Sequence, residues 1–302
     1  MTKPLYLVQQ AFTAMGSPCE IQIYLDSKKR ARYLIGRAIT EVARLEAKYS
    51  RYRSDSFLSE INRIALQGGS ISVDSETSGL FDYVATCYQQ SDGLFDVTSG
   101  VLRKAWSFSE NQLPSPAQIE PLLEKVGWNK VLWEPPVLSF PLKGVEIDLG
   151  GAVKEYAVDR ISVLLWQAGI RHGLVNLGGD IKIIGPHPDQ SGWNVAIAHP
   201  FEAGSTIRQL HVKKGAIASS GDYERCIVVD DVRYSHVLDP RTGWPVGYLS
   251  AVSVVAEFCV VAGSASTIAM LKGVGGPQWL ESLGLRYFWV DVQGNTGGNL
   301  LA

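Results

Sequence analysis

The sequence predicts an α+β fold. Long windows with helical spacing of apolar residues recur along the chain. Between them lie runs of short segments with period-two alternation, which read as antiparallel strands. The composition allows a sizeable core, with 46% hydrophobic and 19% charged residues in 302. A single domain over 1–302 is expected, and the pattern admits a division into two halves near 140–150.

The elements follow in order. Residues 18–26 alternate like a strand leaving the Met15-Gly16 turn. Residues 28–48 carry Leu34, Ile35, Ala38, Ile39, Val42 and Leu45 on one helical face. SRYRSDSFLSEIN (50–62) opens as a loop and becomes a short helix, with Ser54 or Asp55 expected as N-cap. Residues 77–90 form a second amphipathic helix. SDGLFDVTSGVL (91–102) is a loop entering an apolar segment, and 109–118 reads as a polar surface loop. Val145–Leu149 reads as a strand, Gly150-Gly151 as a turn, and 152–168 as a helix ended by Gly169. Residues 172–185 form two strands broken at Gly178-Gly179. Further strands are expected at 193–198, 209–212 and 287–292, with a helix of small and apolar residues at 259–273.

The segment 219–246 is dense in chemistry. Ile227–Val229 and Val232–Leu238 alternate as a hairpin around Asp230-Asp231. Ser219–Asp222 reads as a polar turn before it, and Asp239-Pro240-Arg241-Thr242-Gly243 as a turn after it. His236 therefore stands near a strand end between two donor-rich loops. An imidazole there can pass a proton near neutral pH, although one histidine on a strand is more often structural.

Other constellations are informative. Asp148-Leu149-Gly150-Gly151-Ala152-Val153-Lys154 places a carboxylate, two glycines and a lysine at a helix start, where backbone N–H groups favour phosphate. It is neither a dinucleotide-binding glycine motif nor a Walker A sequence, and on these residues alone a plain tight strand–helix turn is the simpler reading. Asn176-Leu177-Gly178-Gly179-Asp180 marks a bulge or a close backbone approach to a ligand. In Gly93–Thr98, Phe95 is a core or stacking residue and Asp96 an acceptor. Ser264, Ser266 and Thr267 put hydroxyls on a helix of small residues.

Charge and cysteine usage exclude other classes. A net charge of −2 provides no broad basic field for nucleic acid or an acidic membrane. No run of about 18 apolar residues is read, so no membrane span is expected. The first 16 residues lack the apolar core of a signal peptide. The four cysteines have no CxxC spacing, which argues against a zinc cluster or a disulfide framework and for a cytoplasmic setting.

Taken together and in this order, these motifs resemble the ApbE-type flavin transferases, the FAD:protein FMN transferases once labelled thiamine-biosynthesis lipoproteins. The resemblance runs from Ala14-Met15-Gly16-Ser17 to Gly273. It takes in SRYRSDSFLSEIN, GLFDVTSGVL, EIDLGGAVKEYAVD, LVNLGGDI, SSGDYER and SHVLDPRTGWPV. It implies a T-fold-like pair of related α+β halves with antiparallel sheets and long helices. It also implies FAD and magnesium, with FMN moved to a Ser or Thr hydroxyl of a target flavoprotein and AMP released. The positions it marks for FAD are Met15, Tyr52, Leu94, Phe95, Asp96, Asp148, Lys154 and His236. His236 is the implied base. A backbone carbonyl near Gly151 and Thr267 are the implied metal ligands.

Three positions depart from the resembled pattern. Gly263 stands where the family carries a metal-binding aspartate, Glu155 where it carries glycine, and Ser17 where it carries threonine. Loss of the aspartate removes a charge and a ligand from a hard-cation site. The residues therefore admit two alternatives: a flavin-binding protein that no longer transfers, or a pyrophosphatase that splits FAD into FMN and AMP.

Overall fold

A computed structural model describes residues 4–107, 112–223, 226–230 and 232–300. Tyr6–Ala14 (β1) and Ser17–Leu25 (β2) pair across Met15-Gly16, whose φ values of 51° and 72° are those of a two-residue hairpin turn. Sequence reading missed β1. Lys28–Tyr49 (α1) begins at Ser27, whose hydroxyl accepts from the Arg30 N–H, and buries the anticipated Leu34, Ile35, Ala38, Val42 and Leu45. Phe57–Gln67 (α2) is capped by Ser56 rather than Ser54 or Asp55. Ser56 Oγ accepts from Ser59 N at 3.0 Å, whereas Asp55 pairs with Arg53.

Next come Gly69–Ser72 (β3) and Ser75–Gln90 (α3), which is capped by Asp74. A 3₁₀ segment spans Val97–Lys104. Pro116–Leu123 (α4) is a helix where the sequence suggested loop, because Gln118 reaches back to the Ser115 N–H at 2.8 Å. Residues 109–111 of that expected loop lie outside the described residues. Leu132–Glu134 (β4) and Val137–Phe140 (β5) join β3 in a small sheet ordered β3-β5-β4.

Val145–Leu149 is extended but joins no ladder. The side-chain amide of Asn62 takes the place of a neighbouring strand: it donates to Ile147 O at 2.9 Å and accepts from Ile147 N at 2.7 Å. Val153–Gln167 (α5) follows, and Gly169 ends it at a φ of 96°.

The remaining elements are Gly173–Leu177 (β6), Asp180–Gly185 (β7), Trp193–Ala198 (β8), Thr206–Val212 (β9), Gly215–Gly221 (β10), Cys226–Val229 (β11), Val232–Ser235 (β12), Leu249–Ala256 (β13), Cys259–Lys272 (α6), Gly276–Ser282 (α7), Arg286–Asp291 (β14) and Thr296–Gly298 (β15). Gly178-Gly179 is the tight turn of the β6–β7 hairpin, with both φ values positive, and not a bulge. Ser219–Gly221 is the end of β10, paired with Ala251–Ser253 of β13, and not a turn. Small polar residues resemble a turn in sequence, but continuation of β10 along β13 makes them strand. The strand carrying Tyr234 stops at Ser235, so His236 begins the following loop. Asp231, Glu224 and Arg225 lie outside the described residues.

The main sheet is antiparallel with order β1-β2-β6-β7-β10-β13-β14-β15. Because β2 pairs with β6, strands from both sides of 140–150 share it. Helices α1, α5 and α6 lie side by side against it. Period-two alternation divides its faces: Ala216, Ala218, Val252 and Val254 join the helical core, while Ile217, Ala251, Phe288 and Val290 pack with Val195 and Ile197 of the β8–β9 hairpin. The window Cys259–Ser282 is apolar and long enough to cross a membrane by length and composition. It lies 61% buried, with α6 packed against α5, β10 and β13.

Candidate functional site

One cavity gathers most of the residues marked in the sequence. Leu94, Phe95, Asp96, Asp148, Gly151, Lys154, His236 and Thr267 all line it. They come from the loop before the 3₁₀ segment, the turn into α5, the loop after β12 and the inner face of α6.

The turn into α5 is built by Asp148. Its Oδ1 accepts from Gly150 N at 2.9 Å, and its Oδ2 takes Arg51 Nη1 at 2.9 Å and Arg103 Nη2 at 3.5 Å. Gly100 permits this approach, since a Cβ there would lie 2.7 Å from Asp148 Cβ. One carboxylate thus holds two arginines by the cavity, and Arg103 lines it. Gly151 lies beneath Phe95, whose ring atom would be 3.3 Å from a Cβ at that position. Phe95 is 5% exposed and belongs to the main core.

Asp96 anchors the loop. Its Oδ1 accepts from Thr98 N at 2.8 Å and Thr98 Oγ1 at 2.6 Å, and its Oδ2 accepts from Trp128 N at 3.0 Å. Burial raises its pKa against those donors. Its geometry ties together chain segments at the cavity wall.

Lys154 stands in the first turn of α5 with Nζ 2.8 Å from Asp180 Oδ2. Asp180 follows the Gly178-Gly179 turn and its side chain is 3% exposed. Burial raises the Asp180 pKa, and the lysine charge opposes the rise. The β1–β2 and β6–β7 turns nest beside this pair. Gly178 N donates to Pro18 O at 2.9 Å, and a Cβ on Gly178 would lie 2.7 Å from Ser17 Cβ.

Across the cavity, Ser220 Oγ lies 2.9 Å from Thr267 Oγ1 and 2.8 Å from Ser266 Oγ. The two charged-site departures face each other: a Cβ on Gly263 would fall 2.5 Å from Glu155 Cγ. Glu155 is buried, and its Oε2 has no hydrogen-bond partner. Its pKa is pushed up to about 8, chiefly by burial and then by the Asp180 charge. An orphaned carboxylate oxygen on a residue that lines the same cavity as Thr267 suits a hard divalent cation. Among the described residues no group of three or more His, Cys, Asp and Glu could hold a metal, so a zinc-type cluster does not fit.

Two marked residues stand apart from the cavity wall. Met15 occupies the β1–β2 turn and packs partly against the core. Tyr52 is 74% exposed, its ring under the Arg51 guanidinium at 5.2 Å and its hydroxyl accepting from Arg103 Nη1 at 3.4 Å. Sequence reading missed Arg51, Arg103 and Ser220. The Arg51–Asp148 pair spans 97 residues and the Ser220–Thr267 pair 47, separations that no local pattern reports.

The ApbE family model matches residues 15–289. An FAD:protein FMN transferase of Chlamydia pneumoniae is 32% identical over 248 residues, covering 79% of this chain and 76% of that protein. Another from Rhodobacter capsulatus is 26% identical over 283 residues, covering 90% of this chain, and here the chain spans about half (53%) of the relative. The crystal structure of the ApbE protein from Thermotoga maritima superposes with a TM-score of 0.86 at 30% identity, covering 97% of both chains. With the motifs gathered on one cavity and the match running through nearly all of the chain, this protein belongs to the ApbE family.

Proposed function

We propose that the chain is an FAD:protein FMN transferase, moving FMN from FAD to a Ser or Thr hydroxyl of a target flavoprotein. The observation that carries this reading is the convergence of Asp148, Lys154, His236 and Thr267 on one cavity. These residues come from three separate stretches of sequence, 148–154, 236 and 267. The names of the relatives support the reaction class.

The chemistry asks for charge on a pyrophosphate to be neutralised and a nucleophile to be held in line. Lys154 and the Asp148-held Arg103 supply positive charge at the cavity. The acceptor oxygen bonds to the flavin-side phosphorus, and the bond from that phosphorus to the AMP half breaks. The hydroxyl proton passes to His236, and AMP leaves with the bridging oxygen. A magnesium ion held by Thr267, a carbonyl near Gly151 and a carboxylate would add Lewis-acid stabilisation of the pyrophosphate charge.

The test is co-expression in a flavin-replete host, followed by mass spectrometry for Ser and Thr peptides carrying FMN. Purified protein with FAD and magnesium is assayed in parallel for AMP. Flavinylated peptides dependent on His236 support transfer. AMP with free FMN and no modified peptide overturns transfer in favour of hydrolysis. FAD binding with neither product overturns both.

A further inference from the structure

We infer that Glu155 is the carboxylate ligand of a divalent cation in this cavity, reaching from α5 into the space left by Gly263 on α6. The inference rests on the proposed transferase reading for what the cation serves, but not for where it binds.

Three observations lead there. A glycine inside a helix costs about 1 kcal/mol relative to alanine, so Gly263 within α6 asks for a reason. The reason is spatial: a Cβ there would lie 2.5 Å from Glu155 Cγ, 2.8 Å from Oε1 and 2.9 Å from Cδ. The Glu155 side chain therefore occupies the volume that a side chain at 263 would fill.

The second observation is the carboxyl group itself. Glu155 is buried and its Oε2 meets no donor. The neighbouring cation, Lys154, already lies 2.8 Å from Asp180. Buried carboxylates are otherwise paired, hydrogen-bonded or bound to metal. Protonation alone does not explain the arrangement, because a carboxylic acid would still need an acceptor for its O–H.

The third is the company of the carboxylate. Thr267 lies four residues beyond Gly263, on the same face of α6, with its hydroxyl 2.9 Å from Ser220 Oγ. Glu155, Thr267 and Gly151 all line the cavity. A donor set of oxygens without thiolate or imidazole selects magnesium, calcium or manganese.

The experiment measures Mn²⁺ binding by electron paramagnetic resonance on EDTA-stripped protein, with and without FAD. Thermal melting serves as the folding control. Wild type is expected to bind Mn²⁺ in at least one of the two states. Glu155→Gln keeps the shape and is expected to bind about tenfold more weakly or worse. The double variant Glu155→Gly with Gly263→Asp moves the acid to the other helix and is expected to regain binding. Folded Glu155→Gln with wild-type affinity overturns the inference, as does wild type that binds no Mn²⁺ in either state. Should the double variant fail to fold, the Glu155→Gln comparison decides alone. Glu155-dependent Mn²⁺ binding without AMP or flavinylated peptide leaves the inference standing and removes the transferase reading.

Discussion

Gly263→Ala is a small change whose sign reports the packing between α5 and α6. In an unobstructed helix interior the substitution stabilises by about 1 kcal/mol. Here the new Cβ would stand 2.5 Å from Glu155 Cγ, well inside the 3.4–4 Å of ordinary contact. Glu155 is buried, so its side chain has little room to move aside. Overpacking of this kind costs about 1–3 kcal/mol. The net expectation in wild type is destabilisation by about 0–2 kcal/mol. In a Glu155→Gly background the obstacle is gone, and the same Gly263→Ala change should stabilise by about 1 kcal/mol. The coupling between the sites is then about 1–3 kcal/mol, measurable by a double-mutant cycle in urea unfolding. A Gly263→Ala variant that stabilises wild type by about 1 kcal/mol would refute the claim that Glu155 fills this space.

Lys154→Met should leave the buried Asp180 carboxyl group without its cation. It is expected to destabilise by about 3–5 kcal/mol in thermal or urea unfolding, and to weaken FAD binding followed by flavin fluorescence. Gly178→Ala should destabilise by about 1–3 kcal/mol, because the residue has a φ of 61° and its Cβ would meet Ser17 at 2.7 Å. Glu76 accepts from Arg44 at 2.7 Å and Lys48 at 2.9 Å, and the Arg44 guanidinium chiefly holds its pKa down to about 2, against an ordinary 4.5. A depressed carboxylate stabilises the fold fully above its unfolded pKa and loses that effect as pH falls from about 4.5 to about 2. Glu76→Gln should therefore cost about 1–2 kcal/mol at pH 7, after solvent screening, and nothing near pH 2 when unfolding is followed across pH.

The legible parts of the sequence were those governed by local pattern. The apolar faces of α1 and α3, the Gly169 stop after α5 and the small-residue helix α6 all follow from spacing and turn chemistry. Errors arose where tertiary context decided. Asn62 replaced a ladder partner at Ile147, so an apparent strand joined no sheet. The small residues Ser219–Gly221 became strand because they pair with Ala251–Ser253 of β13. For the site, family motifs located Lys154, His236 and Thr267, which the cavity brings together. They did not reveal that Gly263 and Glu155 oppose one another. That relation is a contact between two helices 108 residues apart in sequence, visible only once α5 and α6 are packed.

The central claim is tested most directly by mass spectrometry of proteins co-expressed with this chain in a flavin-replete host. Wild type is expected to yield Ser or Thr peptides carrying FMN, and His236→Ala, shown to be folded by its melting curve, is expected to yield none. Equal labelling by both would contradict the role given to His236. No labelled peptide with wild type, together with absence of AMP from purified protein given FAD and magnesium, would contradict the transferase assignment itself.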